Sequence, residues 1–178
     1  MPLRSLFRTP PHKTAAHQLY LVAVEQARKA QFYTELKVAD TVDGRFDLLV
    51  LHVFLILHRL GTKESGQKKL GQALFDLMFA DMDVNLREMG VADTGVSSRI
   101  KKMVKAFYGR VAAYEVGLSD LTLLKTALRR NLYRGDSVDE NILIAMADYV
   151  HRQSLVLAKM PQGELQEGRL RFDEPPIL

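Results

Sequence analysis

Residues 45–60 read RFDLLVLHVFLILHRL, and they decide the fold of this 178-residue chain. On a helix of 3.6 residues per turn, their apolar side chains surround almost the whole circumference. That pattern is typical of a helix at the centre of a bundle. The polar residues Arg45, His52 and Arg59 are spaced by seven, so they line one edge. We therefore predict that this helix is the most buried one, with an apolar run too short to span a bilayer.

A second stretch, residues 79–90 (FADMDVNLREMG), departs from the usual distribution of charge on a helix. Asp81, Asn85 and Glu88 fall between two apolar stripes instead of on the hydrated side. One stripe consists of Phe75, Phe79, Met82, Leu86 and Met89, and the other of Leu70, Leu74, Leu77 and Val84. Because a carboxylate taken out of water is costly unless it is paired, we expect specific partners for these polar side chains.

The short polar loop between the two stretches predicts that their helices are antiparallel neighbours. That arrangement brings Arg45 near Asn85 and Glu88. It also brings His52 near Asp81. Two interpretations stay open at this point. The polar side chains form a ladder that fixes the register of the helices, or they form a polar seam that a partner chain binds.

Helical periodicity along the rest of the chain predicts an all-α, single-domain bundle of about six helices with a short C-terminal tail. The predicted helices cover residues 14–29, 45–60, 70–89, 96–117, 120–134 and 137–159. The expected helix starts are Thr14, Asp43, Asp93 or Thr94, Ser119 or Asp120, and a capping-box pattern at 137–140. We assign residues 1–13 to a basic arm, 14–160 to the helical domain and 161–178 to the tail.

Composition excludes several classes of protein. The chain has no cysteine, which excludes disulfides, thiolate metal sites and cysteine nucleophiles. Its hydrophobic content of 47% is enough for a sizeable core. Residues 1–8 contain neither a continuous apolar region nor a small-residue cleavage site, so we predict no signal peptide and a cytoplasmic location.

Positive charge is concentrated between residues 99 and 134, which hold nine basic residues and two acids. The amphipathic helix in this segment carries a basic face. The residues on or beside that face are Lys101, Lys102, Lys105, Tyr108 and Arg110. Such a face is either simply solvated or contacts ribosomal RNA, an acidic protein or anionic lipid headgroups. Because Tyr108 is the one aromatic residue placed to stack on bases, a membrane or partner surface is favoured, and DNA is not expected.

Motifs for catalysis and metal binding are scarce. A di-metal bundle needs Glu-x-x-His twice with further inward carboxylates, whereas Asp148-x-x-His151 occurs once. Nucleophile-elbow, dinucleotide-binding and phosphate-loop patterns do not occur in the sequence. His52 against Asp81 resembles an acid–base couple, so the alternative function is a helical enzyme with a metal or small ligand at these two residues. We predict no catalytic, cofactor-binding or metal-binding residues.

Four segments share an unusual composition. They are residues 40–47 (DTVDGRFD), Leu51-His52, the 79–90 stretch with Val91 and Asp93, and residues 107–110 (FYGR). Together they resemble the ubiquinol–cytochrome c chaperone family, over about residues 15–155. The resemblance implies a helical assembly factor for respiratory complex III. It further implies that the protein engages newly made cytochrome b, together with a small helper protein and the ribosome.

The predicted function is therefore a non-enzymatic assembly chaperone that binds immature cytochrome b, or another membrane subunit. We expect a cytoplasmic protein, peripheral on the inner membrane, with a ribosome or an anionic membrane surface as a further contact. The predicted partner-binding residues are Arg45, Asp81, Asn85, Glu88, Lys101, Lys102, Lys105, Tyr108 and Arg110.

Overall fold

The computed structural model describes residues 10–61 and 64–178, which form eight α-helices and no strand. The helices are α1 (Pro11–Ala27), α2 (Gln31–Thr34), α3 (Val42–Leu60), α4 (Ser65–Glu88), α5 (Asp93–Gly117), α6 (Leu121–Asn131), α7 (Glu140–Lys159) and α8 (Gln162–Gln166). The predicted all-α fold is confirmed, and the short α2 and α8 account for the excess over six helices. None of the helices in residues 10–61 and 64–178 combines the length and the apolar character that spanning a bilayer requires.

Helix α3 lies at the centre of the bundle and packs against α1, α4, α5 and α7. Thirteen of its nineteen residues are buried, which confirms the prediction from its apolar circumference. Its cap is Thr41, whose Oγ1 accepts a hydrogen bond from the Gly44 amide at 3.1 Å, so the prediction of Asp43 was wrong. A Cβ at Gly44 would lie 2.0 Å from the carbonyl oxygen of Ala39, so the entry into α3 requires glycine.

Helix α1 begins three residues earlier than predicted. Pro10 is its N-cap and Pro11 its first residue, so the prediction of Thr14 as the cap was wrong. Proline suits this position because an amide at the first turn of a helix has no intrahelical acceptor to lose. Residues 1–9 of the predicted basic arm lie outside the described residues.

Later helix boundaries follow local turn chemistry. Gly90 has φ +80° after α4, as its left-handed position requires. Asp120 caps α6 as predicted, and its Oδ1 accepts from the amide of Thr122 at 2.7 Å. Helix α7 is capped by Asp139, which accepts from the amide of Asn141 at 2.7 Å. The capping box predicted at 137–140 was therefore wrong, because the N-cap is Asp139 and not Ser137.

The segment after α8 docks onto the bundle. Phe172 is buried, and its ring meets the His52 ring edge-on at 5.1 Å between centroids. The Gln153 side chain pairs twice with Asp173, through its Nε2 to Oδ2 and through its Oε1 to the amide, both at 3.0 Å. Gln26 of α1 donates to the carbonyl oxygen of Asp173 at 2.7 Å. These contacts join α1, α3 and α7 to the C-terminal segment.

Candidate partner-binding site

A groove opens where the C-terminal parts of α1 and α4 meet α2 and the start of α3. We call it the seam groove, and its volume is about 240 Å³. Its apolar lining consists of Val24, Ala27, Val42, Phe46, Leu49, Met82 and Met89. Its polar lining consists of Arg28, Tyr33, Arg45, Asp81 and Asn85. Of the polar side chains expected to form the seam, Arg45, Asp81 and Asn85 share this groove, because α3 and α4 are antiparallel as predicted. Glu88 is exposed and is not among the lining residues.

The hydrogen bonds predicted for Arg45 were wrong. Its Nε donates to Oδ1 of Asp40 at 2.6 Å, and the two side chains are 62% and 57% exposed. Asp40 lies just before the N-cap Thr41 and can reach the guanidinium across a single turn. Asn85 instead bonds within its own helix, to the carbonyl oxygen of Asp81 at 2.7 Å. The Arg45 hydrogen bond lowers the pKa of the Asp40 carboxyl.

Asp81 has a different partner from the one expected. Its Oδ2 accepts a hydrogen bond from the Tyr20 hydroxyl of α1 at 2.7 Å. Tyr20 is buried, and its pKa is raised first by that burial and then by the bond to Asp81. The pairing predicted with His52 was wrong because α1, and not only α3, packs against this face of α4.

Two guanidinium groups border the seam groove. The Arg45 guanidinium lies 6.0 Å from the centroid of the Tyr33 ring, within the range of a cation–π contact. Arg28 lies at the end of α1 and is exposed. Its positive charge acts to lower the pKa of both Tyr20 and Tyr33, although burial raises each overall. Sequence reasoning missed Arg28, because nothing in the sequence predicts that the end of α1 lies beside α3.

His52 belongs to the core. It has no exposed surface, its Nδ1 donates to the carbonyl oxygen of Leu48 at 2.9 Å, and its Nε2 accepts from the Tyr149 hydroxyl at 3.0 Å. The Leu48 carbonyl can only accept, which assigns the proton to Nδ1. Burial lowers the pKa of His52 to about 4. The acid–base couple of His52 and Asp81 proposed for the alternative enzyme was therefore wrong, since the two side chains have separate partners.

The predicted basic face on α5 divides into two parts. Lys101, Lys102 and Lys105 are exposed and form no ion pair with any described residue. Tyr108 is 58% exposed and packs against the Phe75 ring, with 5.6 Å between centroids. Exposed cations therefore lie on the same helix as an exposed aromatic ring.

Arg110 belongs to the interior. Its Nη2 lies 2.7 Å from Oδ1 of Asp47, and Nε of Arg134 lies 2.7 Å from the other oxygen. Asp47 has no exposed surface, whereas the Arg110 side chain is 12% exposed. Burial raises the pKa of Asp47, and the two guanidiniums oppose that shift. The ion pair joins α3 to α5, so the fold separates Arg110 from the three exposed lysines.

The described ranges contain no group of three or more histidine, aspartate or glutamate side chains that could hold a metal ion. The arrangement on α1 to α4 is instead a shallow apolar groove with charged side chains at its edge. An apolar cavity of about 150 Å³ can hold a benzene ring, so a groove of this volume suits one large side chain of another protein.

Comparison with known proteins identifies relatives over most of the chain. The model of the ubiquinol–cytochrome c chaperone family matches residues 34–172. The ubiquinol–cytochrome-c reductase complex assembly factor 1 of Xenopus laevis is 27% identical over 142 residues, which are 79% of this chain and 71% of the frog protein. The mitochondrial protein CBP3 of Saccharomyces cerevisiae is 27% identical over 151 residues, which are 82% of this chain and 45% of the yeast protein.

A solved structure has the same fold. The crystal structure of the Cbp3 homolog from Brucella abortus superposes with a TM-score of 0.83 at 34% sequence identity. The superposition covers 92% of this chain and 91% of the Brucella chain. By contrast, the chain spans only 55% of the mouse assembly factor 1 that it matches.

Proposed function

Because the chain belongs to the ubiquinol–cytochrome c chaperone family, we propose that it is a non-enzymatic assembly factor of the ubiquinol–cytochrome c reductase complex. It holds cytochrome b, or another membrane subunit, until the partners of that subunit arrive. The family match over residues 34–172 carries the proposal. The similarity to the frog and mouse proteins, which are named as assembly factors of that complex, supports it.

The seam groove suits a client that exposes apolar side chains. Met82 and Met89 border it, and methionine adapts to partners of different shape. Met89 and Val42 are 52% and 56% exposed, so their side chains are available to contact a client. An unassembled membrane subunit presents apolar surface that invites aggregation, and a groove for one or two of its side chains would shield part of that surface.

The charged border of the groove gives a means of release. Arg28 and Arg45 are exposed, so contacts to them are weak individually and are screened by salt. A client is then held with moderate affinity and lost once its own partners cover the apolar side chain. The exposed lysines of α5 supply a second contact, to an anionic membrane surface or to ribosomal RNA, which keeps the protein peripheral on the membrane where the client is made.

Site-specific photocrosslinking in cells tests the client and the groove together. A photoreactive residue at Met89, inside the groove, is expected to form an adduct with newly made cytochrome b. Leu155 on α7 is the matched control, since it is 51% exposed against 52% for Met89 and lies outside the groove. Equal adducts from both positions would place the contact elsewhere. No cytochrome b adduct from either position would contradict this client.

Deletion of the gene tests the role itself. We expect less assembled reductase complex and less cytochrome b absorbance in membranes, with normal turnover per complex that remains. Unchanged levels of spectrally normal cytochrome b would contradict the proposed function.

A further inference from the structure

A second, larger groove lies at the opposite end of the α1–α4 pair. We call it the basic groove, and its volume is about 890 Å³. It is formed by the first two turns of α1 and the first four turns of α4, and it shares no lining residue with the seam groove. A volume of this size is in the range of binding clefts, well above that of a single side chain.

Charge on the border of the basic groove is predominantly positive. Lys13, Lys68 and Lys69 line it, and none of them forms an ion pair with a described residue. The one lining carboxylate, Asp76, accepts a hydrogen bond from Nε2 of Gln72 at 2.7 Å. The border therefore favours a negatively charged occupant.

The apolar lining of the groove has mostly small side chains. It consists of Ala16, Ala73, Leu77 and Ala80. Small side chains let the backbone of a second helix approach closely, and ridges of that helix can then pack beside Leu77. The stretch of α4 from Lys69 to Ala80 is about 16 Å long at 1.5 Å per residue, which is about three helical turns.

We propose that the basic groove binds a short, acidic, amphipathic helix of a partner protein. The apolar face of that helix packs on Ala73 and Leu77. Its aspartate or glutamate side chains pair with Lys68 and Lys69 at one wall and with Lys13 at the other. The proposal is independent of the client, because the seam groove and its residues take no part in it.

A synthetic helix tests the proposal on the full chain. The probe is a peptide of about four turns with alanine and leucine on one face and glutamate on both flanks. A second peptide carries lysine in place of every glutamate. Fluorescence anisotropy at low salt is expected to show binding of the acidic peptide at least tenfold tighter than that of the basic one, because three exposed ion pairs together contribute roughly that factor.

Paired variants locate the site. Lys68→Glu with Lys69→Glu is expected to weaken the acidic peptide at least tenfold, by replacing attraction with repulsion. Arg130→Glu with Lys159→Glu makes the same change in charge at exposed residues outside the basic groove and is expected to leave the affinity unchanged. Circular dichroism of all variants confirms that each is folded. Equal affinity for both peptides, or equal loss in both paired variants, overturns the proposal.

Two other occupants of the basic groove would each give a distinct experimental result. Vesicles containing phosphatidylglycerol that bind through Lys68 and Lys69, when the acidic peptide does not bind, would overturn the proposal in favour of a lipid surface. A photoreactive residue at Leu77 that links to residues 1–9 of the same chain would identify that segment as the occupant and also overturn it. That segment carries Arg4, Arg8 and no acid, so it would bring positive charge to a positive border.

Discussion

The apolar helix α3 buries two ionisable residues, His52 and Asp47, and the two differ in whether they are charged. His52 remains neutral, held between the Leu48 carbonyl oxygen and the Tyr149 hydroxyl, and burial lowers its pKa to about 4. Asp47 is paired with the guanidiniums of Arg110 and Arg134. A buried histidine can lose its charge, whereas a buried carboxylate with two arginines keeps it, so the two residues give different predictions.

The first prediction concerns the loss of stability at acidic pH. Unfolded His52 has a pKa of about 6.5, above its folded value, so the unfolded chain binds the extra proton. The contribution of His52 to stability is therefore complete above pH 6.5 and is lost as the pH falls towards 4. We expect a loss of about 3 kcal/mol over that interval. Urea unfolding at several pH values measures it, with His52→Gln as the variant that lacks this part of the pH dependence. Parallel pH profiles for the two proteins would show that His52 does not titrate as described.

The second prediction concerns the buried carboxylate. Arg110→Ala should lower the free energy of unfolding by about 3–5 kcal/mol, since it leaves Asp47 buried with only one guanidinium. Arg45→Ala is the matched control, because its pair with Asp40 is exposed on both sides, and little loss is expected there. Chemical denaturation of both variants at neutral pH gives the comparison. Similar losses in the two would mean that burial does not govern the contribution of these pairs.

At the level of residues, the sequence identified His52 as a polar residue on an apolar helix that needed a partner, but it did not single out Asp47. Their partners Tyr149 and Arg134 lie 97 and 87 residues away along the chain. Helical periodicity states which face of a helix is apolar, but not which distant helix covers it. Asp81 was assigned to His52 because folding the two neighbouring helices back on each other would bring them together, and that pairing was wrong.

Among the elements, helix ends depend most on single residues. Caps at Asp120 and the left-handed turn at Gly90 were predictable because their hydrogen bonds are local. The start of α3 was predicted two residues late, at Asp43, although its cap at Thr41 is also local. The need for glycine at position 44 was not predictable, because it comes from the Ala39 carbonyl oxygen outside the helix. A Cβ at this position would clash with that oxygen, so the entry into the central helix requires glycine.

The third prediction is a pair of glycine substitutions. Gly44→Ala should destabilise the protein by about 1–3 kcal/mol, because its Cβ would lie 2.0 Å from a backbone oxygen that cannot rotate away. Gly109→Ala in α5 meets no atom within 4 Å, so it should be neutral or stabilise by up to about 1 kcal/mol through helix propensity. Thermal unfolding followed by circular dichroism tests both. A stable Gly44→Ala protein would mean that the chain before α3 can shift.

At the scale of the whole molecule, three exposed surfaces surround one core. The seam groove and the basic groove lie at opposite ends of the α1–α4 pair, and the lysines of α5 form the third surface. The sequence predicted the bundle and the α5 lysines, because helical period and charge are properties of each segment by itself. It predicted a polar seam between α3 and α4, but neither the depression that holds most of that seam nor the basic groove, since both grooves depend on where α1 docks.

The fourth prediction concerns the α5 surface. Reversing Lys101, Lys102 and Lys105 to glutamate should weaken association with anionic vesicles or ribosomes, while the melting temperature stays nearly unchanged, because none of the three is buried. Replacing the same lysines with glutamine is the control, which removes attraction without adding repulsion and should weaken association less. Sedimentation at increasing salt measures the contact. Association that does not depend on salt would indicate an apolar contact instead.

The docking of Phe172 and Asp173 has a consequence for the order in which the protein can fold during translation. A nascent chain made only as far as α7 already contains Gln26, Gln153 and His52. It still lacks the backbone that Gln26 and Gln153 bind and the ring that packs on His52. Asp173 therefore binds side chains of both α1 and α7, and it is synthesised after both helices. Final closure of the core waits for residue 173 to emerge, so the molecule that assists the assembly of another protein completes its own core only after α7 and α8 have been made.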